Sequence, residues 1–120
     1  MSRFSLRRHE KIKKSIDFVA VYKKGARKES LHFKIAFLAN GLPWSRLGIT
    51  VSKKTGGSVQ RNYIKRCLRE YFRLHKLFLP AATDMVFTAK PGADHLKYTD
   101  MATEINTVFQ IDDHNLNADA

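Results

Sequence analysis

Lys and Arg residues recur through one segment in the middle of the chain, KKTGGSVQRNYIKRCLREYFRLHK, which spans residues 53–76. Guanidinium and ammonium groups are the side chains that bind phosphate oxygens. On a helix, Arg61, Lys65 and Arg69 fall on one face. Like charges four residues apart destabilise an isolated helix, so this spacing favours an anionic partner over a role in solubility. The candidate anion contacts are Lys53, Lys54, Arg61, Asn62, Lys65, Arg66, Arg69 and Arg73.

Residue sets for other chemistry are not evident in the sequence. No Ser, His and Asp set and no Cys and His pair has the arrangement of a nucleophile with its base. The single cysteine, Cys67, falls on the apolar side of the same helix and is interpreted as a core residue. The His residues are scattered, and Asp112 and Asp113 stand in a polar tail. We therefore predict no catalytic residue and no metal site on the polypeptide.

The composition is that of one small globular domain with a strong positive charge. The chain has 120 residues, and 22 Lys and Arg against 11 Asp and Glu give a net charge of +11. An excess of this size in a small domain indicates a polyanionic partner, either nucleic acid or an anionic membrane surface. A single cysteine permits no internal disulfide and fits a reducing compartment. No secretory signal or membrane span is evident, so a cytoplasmic location is expected.

The other half of segment 58–74 is apolar. The opposite arc of the helical wheel holds Tyr63, Ile64, Cys67, Leu68, Tyr71 and Leu74. Phe72 lies at the boundary beside Arg61. This arc predicts a helix that docks on a sheet and turns its basic face to solvent. Ser58 is a candidate N-cap, and the preceding Thr-Gly-Gly lacks the spacing of a P-loop.

Two stretches with alternating apolar residues predict strands. The first holds Leu31, Phe33, Ile35 and Phe37. The second holds Leu47, Ile49 and Val51, with small or polar residues between them. The Asn-Gly and Pro of the linking NGLPWSR indicate a turn, so we expect an antiparallel pair. After the basic helix, MVFTAKPG predicts a third strand.

Two further helices complete the order αββαβα. The first begins at Ser15 and stops near Gly25. Its predicted packing face holds Ile12, Ile16 and Val19, and an aromatic pair beside it holds Phe18 and Tyr22. The last helix is predicted from the spacing of Tyr98, Met101, Ile105 and Val108. The order predicts an α+β fold, with a basic arm at residues 1–14, one domain at 15–111 and a flexible tail at 112–120.

The stretch SKKTGGSVQRNYIKRCLREYF resembles the signature of the protein component of bacterial ribonuclease P. The hallmark of that family is an Arg-Asn-x-x-Lys-Arg core followed by another basic residue. The matching residues are Ser52, Lys53, Lys54, Gly56, Arg61, Asn62, Lys65, Arg66 and Arg69. The resemblance takes in RLGITVSKK and MVFTAKPG and leaves out only the arm and the tail. The sequence departs from the family pattern at Ser58, where Ala is usual, and at Tyr63, where a basic residue is usual.

The resemblance implies an α/β sandwich: a central mixed sheet, about three helices and a left-handed βαβ crossover around the basic helix. It implies a subunit that joins a catalytic RNA, which supplies the active site for Mg²⁺-dependent removal of the 5′ leader from precursor tRNA. The basic face would bind that RNA subunit. Phe18 and Tyr22 would line a cleft where bases of the single-stranded leader stack. The resemblance implies no membrane or DNA partner and no cofactor bound by the polypeptide itself.

Two other interpretations share the same positive charge. One is a basic ribosomal or general RNA-binding protein without a catalytic partner. The other is a DNA-binding regulator that reads the major groove with residues 58–74, which is disfavoured because no helix-turn-helix pair or dimer seam is visible. For Phe18 and Tyr22, the alternative to stacking on bases is packing in the core.

Overall fold

A four-stranded mixed sheet with helices on both faces forms the domain. The computed structural model describes residues 7–111. The helices are α1 (Ser15–Lys24), α2 (Ser58–His75) and α3 (Tyr98–Phe109). The strands are β1 (Ala26–Glu29), β2 (Phe33–Ala39), β3 (Arg46–Val51) and β4 (Thr83–Ala89). The predicted α+β class and the three predicted helices are confirmed, whereas the predicted tail at 112–120 lies outside the described residues.

The strand order is β1-β2-β4-β3, which places β4 between β2 and β3. β2 pairs antiparallel with β1 and with β4, whereas β3 pairs with β4 in parallel. The predicted antiparallel pair of β2 and β3 is therefore wrong. The consecutive residues Met85, Val86 and Phe87 of β4 are fully buried, and a strand with both faces buried is most stable in the middle of a sheet. The connection β3–α2–β4 is the expected parallel crossover, and its left-handedness stays a prediction.

β1 was not predicted from the sequence, and β2 begins later than predicted, at Phe33. All four residues of β1 are exposed, so the strand carries no apolar alternation. Its pairing with β2, in which Ala26 is opposite Phe37, forms this strand at the sheet edge. Leu31 was predicted to share a face with Phe33, but it precedes β2 and is 79% exposed.

α2 and α3 cover one face of the sheet and enclose the larger core. Fully buried side chains from this face of the sheet and from the two helices are Phe33, Phe87, Ile64, Leu68, Tyr71, Phe72, Met101 and Ile105. The Tyr71 hydroxyl donates a hydrogen bond of 2.7 Å to Asn106 Oδ1, which ties α2 to α3. Leu74 was predicted to belong to the apolar arc of α2 that docks on the sheet. It is half exposed because α2 ends one residue later, at His75.

α1 covers the opposite face with a smaller cluster. The buried members are Ile12, Val21, Ala36 and Val86, with Phe18, Tyr22 and Leu38 packed against them. The predicted packing face of α1 is wrong in two of its three residues, since Ile16 and Val19 are 73% and 46% exposed. The aromatic rings carry more apolar area, and the helix therefore turns Phe18 and Tyr22 toward the sheet.

The described part of the predicted basic arm, residues 7–14, lies along the β3 edge. A short 3-10 turn spans Arg8–Glu10. The Ile12 amide donates to the Leu47 carbonyl at 2.9 Å, which extends the sheet beside β3. Glu10 is buried and accepts hydrogen bonds from the Arg7 amide (3.1 Å) and Lys76 Nζ (2.7 Å). These contacts fix the chain that leads into α1.

Candidate nucleic-acid interface

α2 turns the predicted basic residues toward solvent. Its basic face consists of Arg61, Asn62, Lys65, Arg66, Arg69 and Arg73. Asn62, Arg66 and Arg69 are exposed, and the other three are partly exposed. Ile64 and Leu68, on the opposite side of the helix, are fully buried. The separation of apolar and basic arcs that the helical spacing predicted is confirmed, and contact of these residues with RNA stays a prediction.

The members of the basic face are not equally available to a partner. Arg73 pairs with Glu70, with 2.7 Å between Nη2 and Oε1. The Arg66 guanidinium lies over the Tyr63 ring, 5.9 Å from its centroid. Among residues 7–111, the buried Nε of Arg61 has no hydrogen-bond partner. Within residues 7–111, Lys65 and Arg69 form neither an ion pair nor a ring contact, so they offer the charges with the least internal competition.

Lys53 and Lys54 lie ahead of α2, in a 3-10 turn that spans Lys53–Thr55, and both are exposed. They continue the positive charge of the basic face toward the N-terminal end of the helix. The suggested N-cap at Ser58 is wrong. Gly57 is the N-cap, in an extended conformation (φ −72°, ψ 177°), and Ser58 is the first helical residue.

Two hollows flank the basic face, and Arg69 lines both of them. The first is lined by Gln60, Asn62, Tyr63, Arg66, Arg69 and Asp94, among others. The second, which we call the β3-edge hollow, is lined by Lys11, Ile12, Phe18, Leu47, Gly48, Ile49, Lys65 and Arg69. Basic side chains of α2 and an aromatic ring of α1 therefore meet at one place, although the two helices lie on opposite faces of the sheet.

Phe18 and Tyr22 lie on the sheet and are each partly exposed. The Phe18 ring covers Gly48 so closely that a Cβ atom there would be 2.6 Å from Cε1 of the ring. The Tyr22 hydroxyl shares hydrogen bonds with the side-chain oxygens of Thr88 (2.9 Å) and Thr50 (3.3 Å). We call these two rings and the strand residues beneath them the aromatic cleft. Both rings pack on the small cluster and also keep a surface open to solvent.

Sequence reasoning missed the floor and the border of the aromatic cleft. The floor is made by Gly48, Thr50 and Thr88, and the hollow beside Tyr22 is bordered by Arg27, Lys28 and Lys34. The small and polar residues that alternate along β3 were the available signal for this floor. The basic border carried no signal, since β1 was not predicted.

Cys67 and the carboxylates of residues 7–111 do not form a catalytic constellation. Cys67 is buried, and burial raises the pKa of its thiol, which keeps the sulfur protonated at neutral pH. Within residues 7–111, no group of three or more His, Cys, Asp or Glu side chains is placed to hold a metal ion. The helices in this part of the chain are too short or too polar to span a membrane.

Comparison with known proteins assigns the chain to one family. The Ribonuclease P family model matches residues 6–111. The ribonuclease P protein component of Syntrophobacter fumaroxidans is 44% identical over 109 residues, 90% of each chain. That of Syntrophus aciditrophicus is 37% identical over 116 residues, 97% of this chain and 98% of the relative. The solved Staphylococcus aureus RNase P protein matches with a TM-score of 0.78 at 35% identity, over 84% of this chain and 93% of that one. The chain belongs to the ribonuclease P protein family.

Proposed function

We propose that this chain binds the RNA subunit of ribonuclease P through the basic face of α2 and holds the 5′ leader of precursor tRNA in the aromatic cleft. Its family supplies the protein component of a ribonucleoprotein endoribonuclease that processes the 5′ end of tRNA. A net charge of +11 suits a subunit between two RNA molecules, because it neutralises phosphates on both. The comparisons give no support to the alternative of a general RNA-binding protein without a catalytic partner.

The β3-edge hollow is the observation that carries this proposal. It brings Phe18 together with Lys65 and Arg69. The ring is suited to stack on a base of the leader, and the cations beside it are suited to phosphates of the RNA subunit, so this hollow is where the two RNA molecules would meet. The proposed contacts with the RNA subunit are Lys53, Lys54, Arg61, Asn62, Lys65, Arg66, Arg69 and Arg73. Phe18 and Tyr22 are the proposed contacts with the leader.

The polypeptide's part in the reaction is to bind and orient. We assign the Mg²⁺-dependent hydrolysis to the RNA subunit, since residues 7–111 offer no donor set that fits a metal ion. Cations of the basic face reduce the repulsion between the RNA subunit and its RNA substrate, and the aromatic cleft restricts the leader to one path. We place this activity in the cytoplasm and assign it to residues 15–111, between the basic arm and the tail.

The proposal is tested with protein freed of RNA by purification under denaturing conditions and then refolded. Precursor tRNA is incubated with the protein, with the RNA subunit and with both, over a series of Mg²⁺ concentrations. We expect no cleavage by the protein alone, cleavage at the mature 5′ end with both, and a lower Mg²⁺ requirement than for the RNA alone. Site-specific cleavage by the RNA-free protein, abolished by replacing one of its own carboxylates, would overturn the proposal.

A further inference from the structure

Another basic pocket adjoins the β3-edge hollow, with which it shares Lys11. It is open to solvent, has a volume of about 560 Å³ and is formed by residues 8–14, the start of α1 and the loop between β2 and β3. Its volume is in the range of sites that hold small organic ligands, roughly 300–1,000 Å³. We call it the Trp44 pocket, and the lining residues that carry the argument are Arg8, Lys11, Lys13, Lys14, Trp44 and Arg46.

The charge of the Trp44 pocket is largely uncompensated. Arg46 is neutralised within the fold, since its guanidinium lies 2.6 Å from Asp84 and 3.6 Å from Asp17. The other cations are exposed, and no carboxylate among residues 7–111 forms an ion pair with them: they are Arg8, Lys11, Lys13 and Lys14. Cations gathered in a concave site create a positive potential there, which attracts a ligand that carries phosphates.

Trp44 is held in place by the protein itself and is still 38% exposed. Its indole N–H donates to the His9 carbonyl at 3.0 Å, and the His9 ring meets the indole edge-on at 4.8 Å between centroids. The Trp44 carbonyl accepts a hydrogen bond from Asn40 Nδ2, which also bonds to Asp84 at 2.9 Å. A ring fixed in this way loses little conformational entropy when a base stacks on it.

We propose that the Trp44 pocket binds single-stranded RNA, with a base stacked on Trp44 and the neighbouring phosphates on Lys11, Lys13 and Lys14. Lys11 lines both this pocket and the β3-edge hollow, so a strand that leaves Phe18 passes Lys11 into the pocket. The inference rests on the proposed function, because it makes the strand the 5′ leader. The pocket holds leader nucleotides beyond those that lie at Phe18, and it gives long leaders an affinity that short ones lack.

Trp44 is the only tryptophan of the chain, so its fluorescence reports directly on this pocket. Full-length RNA-free protein is titrated with a labelled oligouridylate of roughly ten nucleotides, a length within the span of known single-stranded sites. We expect the tryptophan emission to be quenched in step with the rise in anisotropy of the oligonucleotide. Emission that does not change while the anisotropy reaches saturation would overturn the inference.

Two double variants with equal charge separate the pocket from the general charge of the protein. K13E/K14E changes two cations of the pocket, and K23E/K24E changes two exposed cations at the other end of α1, outside it. We expect the first to weaken binding at least about fivefold more than the second, since only the first removes contacts with the phosphates of the bound strand. Equal losses would mean that the pocket adds nothing beyond net charge, which contradicts the inference.

The holoenzyme supplies the test on substrate, with precursor tRNAs that carry leaders of increasing length. We expect Trp44→Ala to raise KM only for the longer leaders. Trp44→Phe keeps an aromatic ring and is expected to keep KM close to the wild-type value. An equal loss of affinity for all leaders and for mature tRNA would mean that the pocket contacts the RNA subunit and not the leader, which would overturn the inference. If Trp44→Ala is neutral at every length while Phe18→Ala impairs processing, the inference fails and the proposed function stands.

Discussion

The Phe18 ring lies directly on Gly48: a Cβ atom at that position would be 2.6 Å from Cε1 and 2.7 Å from Cζ of the ring. Contacts this short do not occur between real side chains, so the absence of a Cβ is what allows α1 to rest on β3 with the ring against the strand. Two residues further along β3, Thr50 bonds to the Tyr22 hydroxyl. The small and polar residues of β3 therefore set the depth at which both rings of the aromatic cleft lie.

Gly48→Ala is expected to displace the Phe18 ring without unfolding the domain. Overpacking of this kind costs about 1–3 kcal/mol in the free energy of unfolding, and the displaced ring no longer offers its face to a base. We predict a higher KM for precursor tRNA with a leader and an unchanged affinity for mature tRNA. Adding Phe18→Leu removes the ring edge that the new methyl group contacts, so the double variant is expected to regain stability but not leader affinity. If KM for precursor tRNA with a leader is unaltered in Gly48→Ala, the position of the Phe18 ring on Gly48 does not matter for leader binding and the prediction is wrong.

Single alanine variants of the basic face are expected to weaken binding to the RNA subunit and to reduce its salt dependence. Each lost phosphate contact lowers the slope of log K against log salt by about 0.7–0.9. Lys65→Ala and Arg69→Ala are predicted to have larger effects than Arg73→Ala, because the Arg73 guanidinium already pairs with Glu70. Binding titrations from low to high salt check this order, with thermal unfolding as the control for the fold. Equal slopes for all variants and the wild type would show that the face does not contact phosphates.

The two rings of the aromatic cleft are predicted to contribute to leader binding through stacking, about 1–3 kcal/mol per base. Phe18→Ala and Tyr22→Ala are therefore expected to raise KM for precursor tRNA and to leave affinity for mature tRNA nearly unchanged. Tyr22→Phe keeps the ring but loses the hydrogen bonds to Thr88 and Thr50. It is expected to lose stability, by about 0.5–1.5 kcal/mol, rather than leader affinity. Equal losses for both RNAs would assign the rings to packing alone.

Acid is expected to weaken the attachment of residues 7–14 to the domain. Burial alone would raise the pKa of Glu10, but hydrogen bonds from Lys76 and the Arg7 amide outweigh it and hold this pKa below the ordinary 4.5. A carboxyl whose pKa is lower in the folded state stabilises the fold above its unfolded pKa and loses that contribution as pH falls through the folded pKa. The free energy of unfolding, measured in urea at a series of pH values, should decrease below pH 4.5.

Glu10→Gln isolates this contribution. The wild type is expected to be more stable than the variant at neutral pH, and the difference should shrink as the pH falls below 4.5. Glu104 provides a second case on another part of the fold, since hydrogen bonds from Ser30 and His32 overcome its burial and lower its pKa. A difference between wild type and Glu10→Gln that stays constant from neutral pH to acid would show that the Glu10 charge does not stabilise the fold.

The basic face could be predicted from the sequence because every residue of it lies on one helix. The spacing of residues 58–75 determines which side chains share a face, and no distant part of the chain can change that geometry. The aromatic pair was found for the same reason, since Phe18 and Tyr22 are one turn apart. The Gly-Gly stretch and the single cysteine were also interpretable from local chemistry alone.

The choice of packing face on α1 was beyond the reach of such local rules. Ile16 and Val19 satisfy the helical spacing as well as Phe18 and Tyr22 do, yet they are exposed. The packing face of α1 depends on the residues of the sheet that lie beneath the helix. Gly48 leaves room for the Phe18 ring, and Thr50 and Thr88 form hydrogen bonds with the Tyr22 hydroxyl. Those residues come from β3 and β4, far along the chain.

The sequence by itself determined the helices, three of the strands, the positive charge and the family. Only the tertiary structure decided the strand order, which separates β2 from β3 by inserting β4 and makes β3 parallel to its neighbour. Apolar alternation shows that a strand has one buried face but not which strand it pairs with, because pairing depends on the free energy of the whole sheet. That order is what brings Thr50 of β3 opposite Thr88 of β4 under α1, with Gly48 two residues before Thr50. α2, on the opposite face of the sheet, places Lys65 and Arg69 beside Phe18 at the β3 edge. The meeting of rings and cations is therefore a property of the fold, which no single segment of the sequence contains.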